Sequence, residues 1–263
     1  MSQLDNIKIF ESHAHYDDEA FNEDRDILLS TMEENGVEII VNAGADLESN
    51  KKTINLMKQY PFLYGALGIH PSDISDLNDE TFSWLKKQLE LEKVVAVGEI
   101  GLDYYWDKEK EVREKQKNWF RKQIGLARDM KLPMIIHSRD AAKDTLNIML
   151  EECVDEIGGV VHCFSYSKEI ALEYLKLGFY IGIGGVITFS NAKKLKEAVE
   201  VIPLTSILLE TDSPYLAPVP NRGKRNTSLN IPFIAQEIAS IKGVSYEEVV
   251  KTTNQNAKRL FCI

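Results

Sequence analysis

Four histidines and two carboxylates in this chain have the types and spacing of a metal site. His13 and His15 follow an apolar run at 7–10, His137 follows one at 133–136, and His162 ends one at 159–162. Glu99 comes directly after the run that closes at Gly98, and Asp212 stands just beyond the run at 206–209. Imidazole and carboxylate are donors that divalent cations accept, and this set is complete for a two-metal hydrolytic site. His13-Ala14-His15 has the period-two spacing that turns both rings to one face of a strand. Glu99 has two oxygens and can bridge two ions. Asp212 is expected to bind metal and to accept a proton. Glu210 shares its face but lies deeper, where it would orient a water. An Asx turn before Pro214 is the plain alternative for this pair. Glu11 is one step deeper than His13 and is expected to orient a histidine ring.

Other residues suit a substrate. His70, before Pro71, is as compatible with a strand-end cap as with a contact to substrate or leaving group, and the second is favoured. Arg222, Lys224 and Arg225 form a dense basic loop after the last apolar run, and Arg139 follows His137 by two residues. All four are candidates for holding phosphates, although a solvated loop explains the first three equally well. Tyr104, Tyr105 and Trp106 could stack on a base, with packing as the default. Alternation places Cys163 facing away from the mouth.

These residues need elements that bring them together. Eight short apolar runs, at 7–10, 37–43, 63–69, 94–97, 133–136, 159–162, 179–183 and 206–209, read as strands buried on both faces of a parallel sheet. Helical patterns lie between them, at 24–35, 110–131, 140–152, 167–177 and 191–199. Eight such units in 263 residues fit a single (β/α)8 TIM barrel spanning 1–263, with the metal site at the C-terminal ends of its strands. An open doubly wound sheet has the same chain order. The glycines Gly182, Gly184 and Gly185, however, lack the spacing of a dinucleotide fingerprint. Closure also lets donors from the first and last strands meet.

Composition narrows the setting. A formal charge of −10 argues against a broad basic face for duplex nucleic acid but not against a nuclease with a local site. Three cysteines at irregular spacing imply no disulfide framework, so a cytoplasmic protein is expected. No apolar run approaches membrane-spanning length, and residues 1–8 lack a signal-peptide pattern.

In order along the chain stand Glu11-Ser-His-Ala-His-Tyr-Asp17, Gly68-Ile-His-Pro71, Gly98-Glu-Ile-Gly-Leu-Asp-Tyr104, His137-Ser-Arg-Asp-Ala141, His162-Cys-Phe-Ser165, Glu210-Thr-Asp-Ser-Pro-Tyr215 and Arg222-Gly-Lys-Arg-Asn226. Together they resemble the TatD family of metal-dependent deoxyribonucleases, within the amidohydrolase-like barrels, and the likeness runs to Phe261. The resemblance implies metal ligands at His13, His15, Glu99, His137, His162 and Asp212. It departs in the first motif, where the family often has Asp, Cys and Leu at the places of Glu11, Ala14 and Tyr16. It implies divalent ions, two on this donor set, with Zn²⁺, Mg²⁺ and Mn²⁺ open, and a DNA substrate cut by a metal-activated water; the lack of a broad basic face favours strand ends or single strands over long duplex. No obligatory protein partner is inferred. A metal-dependent ester or amide hydrolase, such as a D-aminoacyl-tRNA deacylase, is the alternative on the same ligands. A non-enzymatic metal-dependent binding protein is a third reading, disfavoured by the intact donor set.

Overall fold

The computed structural model describes residues 8–263, so Ile7 and the segment before it lie outside the described residues. Eight parallel strands form one sheet in the order of the chain. They are β1 (Ile9–Ala14), β2 (Val37–Ala43), β3 (Leu63–Leu67), β4 (Val94–Asp103), β5 (Met134–Arg139), β6 (Gly159–Val161), β7 (Tyr180–Ile183) and β8 (Ile207–Leu209). The sheet closes where β8 returns to β1. Ala14 bridges Ser213 in parallel, the Asp212 N–H donates to the His13 carbonyl at 3.0 Å, and Ser12 Oγ donates to the Leu209 carbonyl at 2.9 Å. This is a (β/α)8 barrel.

The surrounding helices are α1 (Arg25–Ser30), α2 (Leu47–Gln59), α3 (Asp79–Gln88), α4 (Lys110–Met130), α5 (Ala142–Glu151), α6 (Lys168–Lys176), α7 (Lys193–Val201), α8 (Ile231–Lys242) and α9 (Tyr246–Phe261). Capping is legible locally. Asp46 and Asn78 each form a capping box, at α2 and α3, and Gly243 ends α8 in the left-handed region. The helix expected over 24–35 is shorter. It stops at Ser30, and the chain turns on until Gly36, whose φ is 81°. Among the described residues no helix is long and apolar enough to cross a membrane.

Two apolar clusters divide the core. The larger packs strands against helices and includes Ile40, Leu67, Ile100, Phe120 and Ile234. The smaller contains Ile39, Val41, Ala66, Ile135, Val160 and Leu208, together with Ala257 and Phe261 of α9. Ile135, Val160 and Leu208 stand two residues before His137, His162 and Glu210, so they share those faces one layer lower. The barrel is therefore filled with side chains below the polar mouth, and the Phe261 ring stacks on Phe10 at 5.8 Å.

Candidate metal centre

The strands deliver their polar residues at one end, on a cavity of about 830 Å³ lined by His15, His70, Glu99, His137, His162 and Asp212. β4 and β5 approach closely there. Gly101 has φ 148°, and a Cβ on it would stand 1.9 Å from the His137 carbonyl oxygen, so only glycine allows this register. β4 also runs six residues beyond the apolar run that predicts it, and this extension carries Glu99 and Asp103.

Glu99 lies at the centre. Its Oε2 faces His13 Nε2 at 3.4 Å and His15 Nε2 at 3.6 Å. Its Oε1 lies 2.6 Å from both His137 Nδ1 and His162 Nε2. Asp212 Oδ1 joins the first group, 3.6 Å from His13 Nε2 and 3.4 Å from His15 Nε2. His70 joins the second, with Nε2 3.8 Å from Glu99 Oε1. Three donor groups result: His13, Glu99 and His162; His13, His15 and Asp212; and His70, Glu99 and His137.

The ring partners decide which nitrogens carry lone pairs. His15 Nδ1 lies 2.7 Å from the Ala43 carbonyl, so it donates and leaves Nε2 as the acceptor. His137 Nε2 lies 3.1 Å from Asp103 Oδ2, which leaves Nδ1 facing Glu99. In the neutral rings these acceptors face carboxylate oxygens, so a positive charge must lie between them, either a proton on the ring or a metal ion. These nitrogens and carboxylate oxygens fit divalent ions; the outer ring nitrogens of His15 and His137 are anchored as metal-bound histidines require, whereas His13 Nδ1 and His162 Nδ1 are buried without a hydrogen-bond partner among the described residues.

Electrostatics separate the carboxylates. Burial works to neutralise Glu99, but the His162 charge and bonds from His13, His137 and His162 hold its carboxyl well below the usual range. Asp212 is likewise lowered against its burial, through the bond to His15 and the charges of His13 and His162. Burial also favours neutral rings at His15 and His137. Asp212 and Glu99 nevertheless raise His15 to about 10, and Asp103 and Glu99 raise His137 to about 9. His13 falls to about 4 and His70 to about 3, both chiefly through burial and then through a neighbouring imidazole. One layer deeper, burial pushes Glu11 up to about 7 and raises Glu210 well above its ordinary value.

A family model described as TatD related DNase matches residues 10–262. The chain belongs to the TatD family. A Bacillus subtilis protein named uncharacterized metal-dependent hydrolase YabD is 43% identical, over 97% of this chain and 99% of its own. The Escherichia coli protein named uncharacterized metal-dependent hydrolase YcfH is 38% identical, over 97% of this chain and 96% of its own. A solved structure of the Escherichia coli TatD homologue YJJV superposes with a TM-score of 0.91 at 30% identity, covering 98% of this chain and 99% of that one. Membership in the TatD family and the donor set together make this chain a metal-dependent hydrolase.

The remaining residues of this TatD chain divide by position. Arg139 lines the cavity. Arg222, Lys224 and Arg225 do not. Arg225 is held by Asp24 through two bonds of 2.7 and 2.6 Å, and Arg222 lies over the Phe189 ring at 4.2 Å. Glu11 does not orient a ring as expected. Its Oε1 accepts the backbone N–H groups of His13 and Thr211 at 3.2 and 2.9 Å, because its carboxyl stays below the rings and bonds the β1–β8 seam. Glu210 accepts the Cys163 N–H, and its Oε1 is 4.0 Å from His162 Nδ1. A Cβ on Gly182 would strike Glu210 Oε2 at 2.2 Å, so a glycine leaves room for this acid. Cys163 lines the cavity instead of facing away, because its φ of 46° ends the strand alternation after Val161. Asp103 carries no motif of its own that marks it in the sequence, although its even spacing from Glu99 along one strand places it on the same side.

Proposed function

We propose that this chain acts as one domain and is a divalent-metal-dependent deoxyribonuclease that hydrolyses phosphodiester bonds at DNA ends or in single strands. The observation that carries this reading is Glu99, whose two oxygens each face a different histidine pair. His13, His15 and Asp212 would hold one ion and His137 and His162 the other, with Glu99 shared. Such ions supply Lewis acidity and lower the pKa of water towards neutrality.

The chain's own residues do the rest. Asp212, held ionised beside His15, accepts the proton of the attacking water. His70 stays neutral and contacts the leaving group. Glu210 acts from beneath, fixing the turn at Cys163 that follows His162. Arg139 and Lys52, both in the cavity wall, hold phosphates near the scissile bond, and Arg222, Lys224 and Arg225 are left to phosphates beyond the mouth. Imidazole favours Zn²⁺ for tight binding, with Mg²⁺ or Mn²⁺ as weaker occupants. The unpaired Cys153, Cys163 and Cys262 fit a reducing cytoplasm.

One observation favours a second reading. Asp17, Asp18, Glu19, Asp46 and Glu48 also line the cavity and disfavour a long polyanion. An ester or amide with few negative charges, such as a D-aminoacyl-tRNA end, meets less repulsion. End-labelled single-stranded DNA separates the two. Cleavage that metal stripping abolishes, that Mg²⁺, Mn²⁺ or Zn²⁺ restores, and that Asp212→Asn lacks supports the nuclease. No cleavage by protein carrying two ions turns the choice to the ester.

A further inference from the structure

The loop after β4 exposes two aromatic rings beside an unpaired guanidinium. Trp106 is 66% exposed and Tyr105 45% exposed, whereas Trp84 and Trp119 pack against the core. Trp106 lines the same cavity as the metal donors. Tyr105 meets it edge-on, with centroids 4.7 Å apart at 86°. The Arg139 guanidinium lies 4.0 Å over the Tyr105 ring and 5.7 Å from that of Trp106. Arg139 makes no ion pair among the described residues, unlike Arg121 and Arg225, which grip carboxylates.

This loop is tied to the metal centre by one side chain. Asp103 Oδ1 accepts the backbone N–H groups of Tyr105 and Trp106 at 2.9 and 3.1 Å, while its Oδ2 lies 3.1 Å from His137 Nε2. The aromatic rim and a ligand histidine therefore hold a fixed spacing. On the side of the β1 and β2 ends the wall is mostly acidic, with Asp17, Asp18, Glu19, Asp46 and Glu48 around Lys52. A negatively charged strand that reaches the metals is repelled there and leaves by the Trp106 and Arg139 side.

We propose that Trp106, backed by Tyr105 and Arg139, is a shelf on which one unpaired base of the substrate stacks, while Arg139 holds the phosphate joined to it. The proposal rests on the nuclease reading above. A flat ring beside a cation suits any base, because every base presents a π face, so the shelf selects an unpaired nucleotide without selecting its sequence.

The test uses metal-loaded protein, single-stranded oligonucleotides and the same oligonucleotides with one abasic residue moved along the strand. Trp106→Ala is expected to raise KM about tenfold, more than it lowers kcat, and Trp106→Phe to recover most of the loss. In the parent protein the abasic residue carries a similar penalty at one position, and in Trp106→Ala it adds nothing there. Equal KM values, or penalties that add, overturn the shelf and leave the nuclease reading standing. Binding gives a separate readout. Short single-stranded DNA added to Asp212→Asn protein is expected to quench indole fluorescence, and Trp106→Ala in that background to remove the quenching. Failure to quench, or quenching that survives the loss of Trp106, overturns the shelf even if no oligonucleotide is cleaved.

Discussion

Glu99 and Asp212 stand at the mouth of the barrel, Glu11 and Glu210 one layer below. Glu99, Glu11 and Glu210 are all buried, with exposures of 3%, 0% and 0%. Their chemistry diverges nonetheless. The upper pair is held ionised by imidazoles, whereas the lower pair accepts hydrogen bonds only from hydroxyls and backbone N–H groups among the described residues and is pushed towards the neutral acid. Burial alone would raise all four acids. The histidines set the difference, and they confine negative charge to the layer where cations would sit.

The most severe way to break this contrast is at Glu99. Glu99→Gln is expected to lower activity by about 10³-fold or more and to reduce bound metal below two ions per chain, because both donor groups lose the shared carboxylate. Glu210→Gln mimics the neutral acid already present, so metal content is expected to stay full and activity to fall by less than about tenfold. Elemental analysis beside turnover checks both. Equal losses in the two variants would remove the distinction between the layers.

A second prediction sharpens the contrast through pH, in metal-stripped protein. The folded pKa of Glu11 is about 7 against an ordinary 4.5. The folded state thus keeps a proton that the unfolded chain has released, and stability falls as pH rises between those values. Glu99 has the opposite sign, since its lowered pKa gives stability above 4.5 that is lost as pH falls. Glu11→Gln removes the first slope, so its stability relative to the parent is expected to improve by about 2.5 kcal/mol between pH 5 and pH 8. Urea midpoints at the two pH values read this, and a constant difference would place Glu11 with the ionised pair.

Asp103→Ala tests whether anchoring the outer nitrogen of His137 matters as much as the ligands themselves. Metal affinity is expected to drop about 10- to 100-fold, measured by competition with a chelating dye, with the barrel still folded by circular dichroism. The smallest effect is expected outside the cavity. Arg225→Ala removes a partly exposed pair with Asp24 and should cost roughly 0.5–1 kcal/mol of stability, with KM for DNA shifting less than for Arg139→Ala. A larger KM shift in Arg225→Ala would return the basic loop to the substrate.

Much of the centre is legible in the sequence because of how parallel strands end. A strand buried on both faces is an uninterrupted apolar run, so the first polar residue after it marks the mouth, and His137, His162 and Glu99 all announce themselves in this way. Asp103 does not, since it belongs to a strand that continues through polar residues and glycines. Cys163 escapes the alternation rule because its left-handed backbone begins one residue after His162. Arg225 could not be read locally either, since its partner Asp24 lies 201 positions away. The turns after Ser30 show a similar limit: Leu29 and Met32 are both fully buried, yet the backbone between them has already left the helix.

The seam between β1 and β8 carries a consequence for how the protein comes into being. His13 and His15 are among the first described residues to leave a ribosome, and Asp212, whose N–H is fastened to the His13 carbonyl, follows 197 residues after His15. No partial chain ending before Asp212 owns the complete first donor group, whatever else it has folded. An ion held by His13, His15 and Asp212 would therefore await ring closure, whereas His70, Glu99 and His137 are all present in the chain once β5 has been made.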